Sequence, residues 1–212
     1  RLRVTVHDPN MVDNKKLRSC GASGVIHKGK GVQIIFGPHV SVIKSALEDY
    51  LEYESFASLP ENKIILYAHA KGTIVELSHV NDKVFSEKIL GDGVAIKPDT
   101  GKLYAPCNGR ISMAAETGHA ITLVSDEGCE ILLHIGIDTV ELNGKHFKTH
   151  VESEQTVRKG DLLVSFSPEK IHEDGYDTVI PMIICNSDEF TSINIVADGE
   201  IKNGAVLLEL KK

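Results

Sequence analysis

Apolar and polar residues alternate from the start of the chain. Leu2, Val4 and Val6 are interleaved with Arg3, Thr5 and His7, the period of a half-buried strand. Asp8-Pro9-Asn10 marks a turn, and residues 12–17 read as a short helix closed near Gly21. Strands are expected over 24–27 and 31–36, joined as a hairpin by Lys28-Gly29-Lys30. Val40, Ile43, Leu47 and Leu51 then fall at helical spacing, which predicts a helix over 40–53. Residues 1–51 thus form a small α/β unit, with little chain for an independent core.

Periodicity is lost over 52–63, where Glu54, Ser55, Ser58, Pro60 and Glu61 give the composition of an exposed linker, with the boundary near Glu61. Beyond it the pattern changes. Short aliphatic runs at 72–75, 93–96, 121–124, 131–133, 162–166, 179–184 and 206–208 are separated by glycine or proline, and helical spacing is nearly absent. Residues 64–212 are therefore expected to be mainly β, an antiparallel sandwich or barrel, with helix limited to short turns such as 167–173.

Composition narrows the class. The 212 residues are 42% hydrophobic and 25% charged, with 30 acidic against 23 basic side chains and a net charge of −7. No basic face is available for a nucleic-acid backbone, so a nucleic-acid partner is not expected. The longest apolar run, 179–185, is far short of the roughly 20 residues that span a bilayer, and no leader pattern opens the chain. Cys20, Cys107, Cys129 and Cys185 stand far apart with no CxxC pair, which argues against a zinc ribbon and fits a reducing, cytoplasmic setting.

Position separates the ten histidines. His7, His27, His39, His69, His79, His146, His150 and His172 lie in polar or turn-rich contexts and read as solvated surface groups. His134 instead interrupts Ile131-Leu132-Leu133-His134-Ile135-Gly136-Ile137, apolar at odd and even positions as in a strand covered on both faces. A ring buried there without a partner costs roughly 1 to 3 kcal/mol, so it is either a satisfied core histidine or opens on a cleft. Gly136, on the same face and without a side chain, is expected to leave the surface beside the imidazole open to an approaching backbone or ligand. His119, at the end of Glu116-Thr117-Gly118-His119, comes close if its strand is the antiparallel neighbour. Two imidazoles and the Thr117 hydroxyl suit a phosphate or a metal.

The stretch Gly128-Cys129-Glu130-Ile131-Leu132-Leu133-His134-Ile135-Gly136-Ile137-Asp138-Thr139-Val140 resembles the phosphohistidine signature of the glucose-type enzyme IIA domain of the bacterial sugar phosphotransferase system. Val84-Phe85-Ser86-Glu87-Lys88-Ile89-Leu90-Gly91-Asp92-Gly93, Leu103-Tyr104-Ala105-Pro106, Glu116-Thr117-Gly118-His119-Ala120 and Val157-Arg158-Lys159-Gly160-Asp161 are similar to the same family in the same order, so the resemblance spans 64–212. Lys83 and Ala115 depart from the apolar residues common there. Residues 1–6, Gly21-Ala22-Ser23-Gly24-Val25 and Gly31-Val32-Gln33-Ile34-Ile35-Phe36-Gly37 resemble the later part of an enzyme IIB domain of the glucose and N-acetylglucosamine branch. The phosphoacceptor cysteine of that family lies ahead of Arg1, and Cys20 reads as a small buried residue in another place.

The resemblance implies a phosphotransferase that needs no cofactor and no metal. His134 accepts phosphate from the phosphocarrier HPr through Nε2 and passes it to an enzyme IIB cysteine during sugar uptake, serving a membrane IIC domain from the cytoplasmic side. His119 and Thr117 are the expected donors to the phosphoryl oxygens. Asp138, roughly 13 Å beyond His134 if the strand stays extended, and Asp82 are expected at the rim, facing a partner arginine. Val84 and Phe85 would form the apolar centre of the docking surface, beside Gly136. A zinc hydrolase, a biotinyl or lipoyl carrier and a phosphorylation-dependent regulatory module are the rival readings; the first wants an H-x-H pair, but Leu132 and Gly136 flank His134 at that spacing.

Overall fold

The computed structural model describes residues 1–6, 8–37, 40, 43–44, 47 and 63–212. The chain divides into two compact units, Arg1–Pro60 and Glu61–Lys212. In the first, the strands Leu2–Thr5, Gly31–Ile35 and Gly24–Lys28 form an antiparallel sheet with Gly31–Ile35 in the middle. Leu2, Ala22, Val32 and Ile34 are its buried core, with Val4, Val12, Leu17 and Phe36 packed against them. The helix starts two residues later than the apolar spacing predicts, covering Asn14–Ser19. Asp13 sets its start, because its carboxylate accepts from the backbone N–H groups of Lys15 and Lys16. The turn expected at Asp8-Pro9-Asn10 is a 3-10 turn, Pro9–Met11, capped by Asp8. Cys20, expected to be buried, is exposed at the end of this helix. Val40, Ile43, Lys44 and Leu47 are helical; the rest of the expected helix, the linker up to residue 62, and His7 and His39 lie outside the described residues.

The second unit is mainly β and antiparallel throughout, as its glycine-punctuated runs predict. An eight-stranded sheet runs in the order Thr156–Val157, Gly109–Ala114, Ala120–Ser125, Glu130–His134, Ile180–Ile184, Asp92–Pro98, Gly72–Val75 and Glu200–Ile201. Two three-stranded sheets accompany it. One comprises Phe147–Thr149, Leu162–Phe166 and Lys102–Tyr104, and the other Ser192–Ile195, Val206–Lys211 and Lys63–Tyr67. Several of these strands, such as Thr156–Val157 and Lys102–Tyr104, are two or three residues long and half polar, too short to leave a periodic signal.

The large sheet is covered on both faces near its centre. All five residues of Ile180–Ile184 are buried. Ile180, Met182 and Ile184 join Ile131 and Leu133 in the main core. On the other face Ile183 packs with Leu77, Val80, Phe85 and Ile137 in a second, smaller cluster, against which Leu132 is half-buried. That second cluster is built by a 3-10 turn, Leu77–His79, and a one-turn helix, Lys83–Ser86, capped by Asp82 through the Phe85 N–H at 3.1 Å. No helix among the described residues is long and apolar enough to cross a membrane.

His69 corrects the surface reading drawn from its small, polar neighbourhood. It is fully buried between Ala68 and Ala70, its Nε2–H donating to the Ile180 carbonyl at 3.0 Å while Nδ1 has no partner among the described residues. Burial pulls its pKa down to about 4 despite the opposing hydrogen bond. Because the unfolded chain binds this proton near pH 6.5 and the folded chain does not, stability falls as pH drops from 6.5 toward 4. The substitution His69→Leu removes that dependence: between pH 7 and pH 5 the variant's second unit is expected to lose about 2 kcal/mol less than the parent in urea unfolding. Equal losses would show that His69 is protonated without penalty.

Candidate functional site

His134 closes the strand Glu130–His134, opposite Ala120 on one neighbour. Alternation sends Ile131 and Leu133 into the main core and Leu132 and His134 to the other face. The imidazole is half-buried there, 5.5 Å from the Phe85 ring and 5.1 Å from the His119 ring, centre to centre. His119 precedes Ala120–Ser125, and its carbonyl accepts the Ile135 N–H at 2.7 Å, which ties the two histidine-bearing segments together. The expected juxtaposition of the two imidazoles is present.

The chain does not stay extended past His134. It turns through left-handed conformations at Gly136 (φ 77°) and Asp138 (φ 57°) into a 3-10 turn, Thr139–Leu142. The turn folds the Gly136 carbonyl back onto His134 Nδ1 at 2.7 Å. A carbonyl only accepts, so Nδ1 carries the proton and the neutral ring keeps its lone pair on Nε2. Among the described residues Nε2 has no hydrogen-bond partner. Of the two approaches expected beside Gly136, a backbone or a ligand, the backbone is the one present. A Cβ there would lie 2.4 Å from the Asp177 carbonyl oxygen and 2.5 Å from Thr139 Cγ2, so the chain itself fills the space.

The other expected residues divide. Thr117 hydrogen-bonds His119 Nδ1 at 2.5 Å, so its hydroxyl is committed to the second imidazole. When that hydroxyl donates, His119 presents an N–H at Nε2. Phe85, expected on a docking surface, is only 7% exposed and supports the His134 ring from the second core. Val84 is exposed, Asp82 half-buried and Asp138 exposed. Ile89, Leu90 and Val140 are also exposed and were not singled out by their spacing. Ile89 is folded back beside Val84, whose carbonyl accepts its N–H at 3.0 Å. Their signal in the sequence was a pair of apolar residues set between charged ones and glycine, which periodicity does not distinguish from a core turn.

Burial lowers the pKa of His134, opposed by the Gly136 hydrogen bond and by the charges of Asp82 and Asp138. Burial and then the neighbouring His134 lower that of His119. Both rings are thereby biased to the neutral form, in which each imidazole keeps one N–H and one lone-pair nitrogen. Among the described residues no three His, Cys, Asp or Glu side chains group in a way that could hold a metal ion.

Residues 64–190 match the family described as the phosphoenolpyruvate-dependent sugar phosphotransferase system, EIIA 1. Among solved structures, glucose permease IIA from Mycoplasma capricolum is similar at 38% identity and a TM-score of 0.68, over 71% of this chain and 97% of that one.

The space around Gly136 generates a direct expectation. Gly136→Ala meets both the positive φ and the Asp177 carbonyl, and is expected to destabilise the second unit by about 2 kcal/mol or more in urea unfolding. An unchanged midpoint would show that the turn adapts freely and does not fix the imidazole.

Proposed function

This chain belongs to the EIIA 1 family of the phosphoenolpyruvate-dependent sugar phosphotransferase system, and from that premise we propose that His134 is its phosphoryl carrier. The observation that carries the proposal is the hydrogen bond from His134 Nδ1 to the Gly136 carbonyl, which leaves Nε2 as the nucleophile. The Nε2 lone pair attacks the phosphorus of phosphohistidine on HPr. A new N–P bond forms, the bond to the HPr ring breaks, and its electron pair returns to that imidazole. In the second step the thiolate of an enzyme IIB cysteine attacks the same phosphorus, and Nε2 leaves with its pair.

Phosphoryl transfer asks for in-line placement and donors to the equatorial oxygens more than for covalent chemistry by the protein. His119 supplies the donor, through Nε2–H, while Thr117 holds its tautomer from behind. The Thr117 hydroxyl thus acts through His119 rather than on the phosphate. The carrier proteins dock on Val84, Ile89 and Leu90, with Asp82 and Asp138 facing a basic side chain of the partner. Lowered pKa values keep both imidazoles neutral near pH 7, where a cationic His134 would have no lone pair.

The likeness to a glucose permease IIA supports reading the substrate pathway as one of the glucose and N-acetylglucosamine branch, with this chain serving a membrane IIC domain from the cytoplasmic side. We read the first unit, on the motifs of residues 1–6, 21–25 and 31–37, as the later part of an enzyme IIB domain. Cys20, exposed at its helix end, stands in a different place from that family's phosphoacceptor.

Incubation with phosphorylated HPr is expected to add one phosphate, acid-labile and base-stable, that His134→Ala abolishes. A phosphate that survives this substitution would overturn the assignment. His119→Gln is expected to leave phosphorylation intact but to slow delivery to an enzyme IIB domain about a hundredfold, whereas equal delivery rates would remove His119 from the reaction. Asp138→Lys is expected to slow phosphorylation by HPr chiefly at low salt, because an exposed rim charge acts on encounter. A rate indifferent to both the substitution and salt would reject its placement.

A further inference from the structure

A second layer of residues lies behind His119. His146 is a non-glycine residue at φ 75°, a conformation that a Cβ disfavours. Its side chain is only 13% exposed, and Nε2 lies 2.9 Å from Asp174 Oδ2. Lys145 reaches the same oxygen at 2.8 Å, but its side chain is 61% exposed. These two hydrogen bonds, Lys145 first, hold the Asp174 carboxyl below the usual carboxylate range. Asp174 ends the helix Pro168–Glu173, and the N–H of Ser167 at its other end donates to the His146 carbonyl at 3.1 Å. The turn around His146 is thus fastened to both ends of one helix.

That turn presses on the segment that carries His119. A Cβ on Gly144 would lie 3.6 Å from Thr117 Cα, so the two backbones run side by side. A Cβ on Gly118 would lie 2.9 Å from Phe147 Cβ and 3.0 Å from Thr149 Oγ1. Thr117 and Gly118 therefore have a close-packed wall behind them, and Thr117 hydrogen-bonds His119 Nδ1. We propose that the His146–Asp174 pair is a positioning device for His119, locking the turn at residues 143–149 so that Thr117 fixes the second imidazole's tautomer. The proposal rests on the reading of His119 as the donor in onward transfer. Asp177, three residues beyond Asp174, accepts the Ile137 N–H at 3.2 Å and flanks Gly136, so the same segment also borders the His134 turn.

The test uses the full chain, phosphorylated by HPr, with an enzyme IIB domain as acceptor. His146→Gly relieves the backbone conformation but removes the pair. It is expected to slow onward transfer about tenfold, the scale of a small displacement of a positioned group, with phosphorylation of His134 unchanged. Asp174→Ala is expected to do the same, and Asp174→Asn, which keeps an acceptor for His146, to retain most of the rate. Imidazole 15N spectra should show His119 protonated at Nε2 alone in the parent and as mixed tautomers in His146→Gly and Asp174→Ala. Parent-like transfer and a parent-like His119 spectrum in both variants would overturn the proposal. His119→Gln in the same assay separates the two levels. If it transfers normally, the role of His119 falls and the positioning proposal with it. If it is slow while the outer variants are fast, only the positioning proposal fails.

Discussion

The site depends on a single hydrogen bond, from His134 Nδ1 to the carbonyl of Gly136 two residues on. A ring nitrogen facing a carbonyl has one possible role, donor, and that choice assigns the lone pair to Nε2. The bond exists because the strand Glu130–His134 stops at the histidine and the chain doubles back with positive φ at Gly136. Thr139 and Asp177 close around that glycine, the Thr139 hydroxyl donates to the Ile135 carbonyl, and the Gly136 N–H donates to the Val179 carbonyl. A turn anchored from so many directions is stiff, as the proposed in-line transfer requires.

The electrostatics balance around the same ring. Packing by Phe85 and the second core removes water and disfavours the imidazolium, whereas Gly136, Asp82 and Asp138 favour it. The net direction is toward the neutral form. The carboxylates do not touch the ring by any hydrogen bond among the described residues, so they act through space. In the proposed cycle they also oppose the incoming phosphoryl charge, which keeps the phosphorylated form a ready donor. Val84, Ile89 and Leu90 gather on the residues that follow Asp82, so one turn carries charge and exposed apolar surface while Phe85 turns inward to the imidazole.

Much of this was legible in the chain. The aliphatic runs between glycines located the long strands, because alternation or continuous burial leaves a clear pattern over five or six residues. His134 stood out as a polar ring in an apolar run, and the Thr117-Gly118-His119 segment followed from the adjacent strand. Three features were hidden. The Gly136 turn depends on Asp177 arriving from another part of the fold, so the sequence left open whether backbone or ligand takes the space that Asp177 and Thr139 fill. Phe85 gave no sign of which way it faced, since a one-turn helix has no face long enough to read. His69 and His146 looked like ordinary surface histidines, and only long-range packing buries the first under Ile180 and pairs the second with Asp174.

The most direct test of the central claim is the atom that carries the phosphate. Coupling between 31P and 15N in protein phosphorylated by HPr, with histidine labelled in the ring, identifies the bonded nitrogen. The account predicts a bond to Nε2 of His134, with Nδ1 still protonated and shifted by its hydrogen bond to the Gly136 carbonyl. Phosphate on Nδ1 would contradict it, because that nitrogen would then have to abandon the contact that orients the ring.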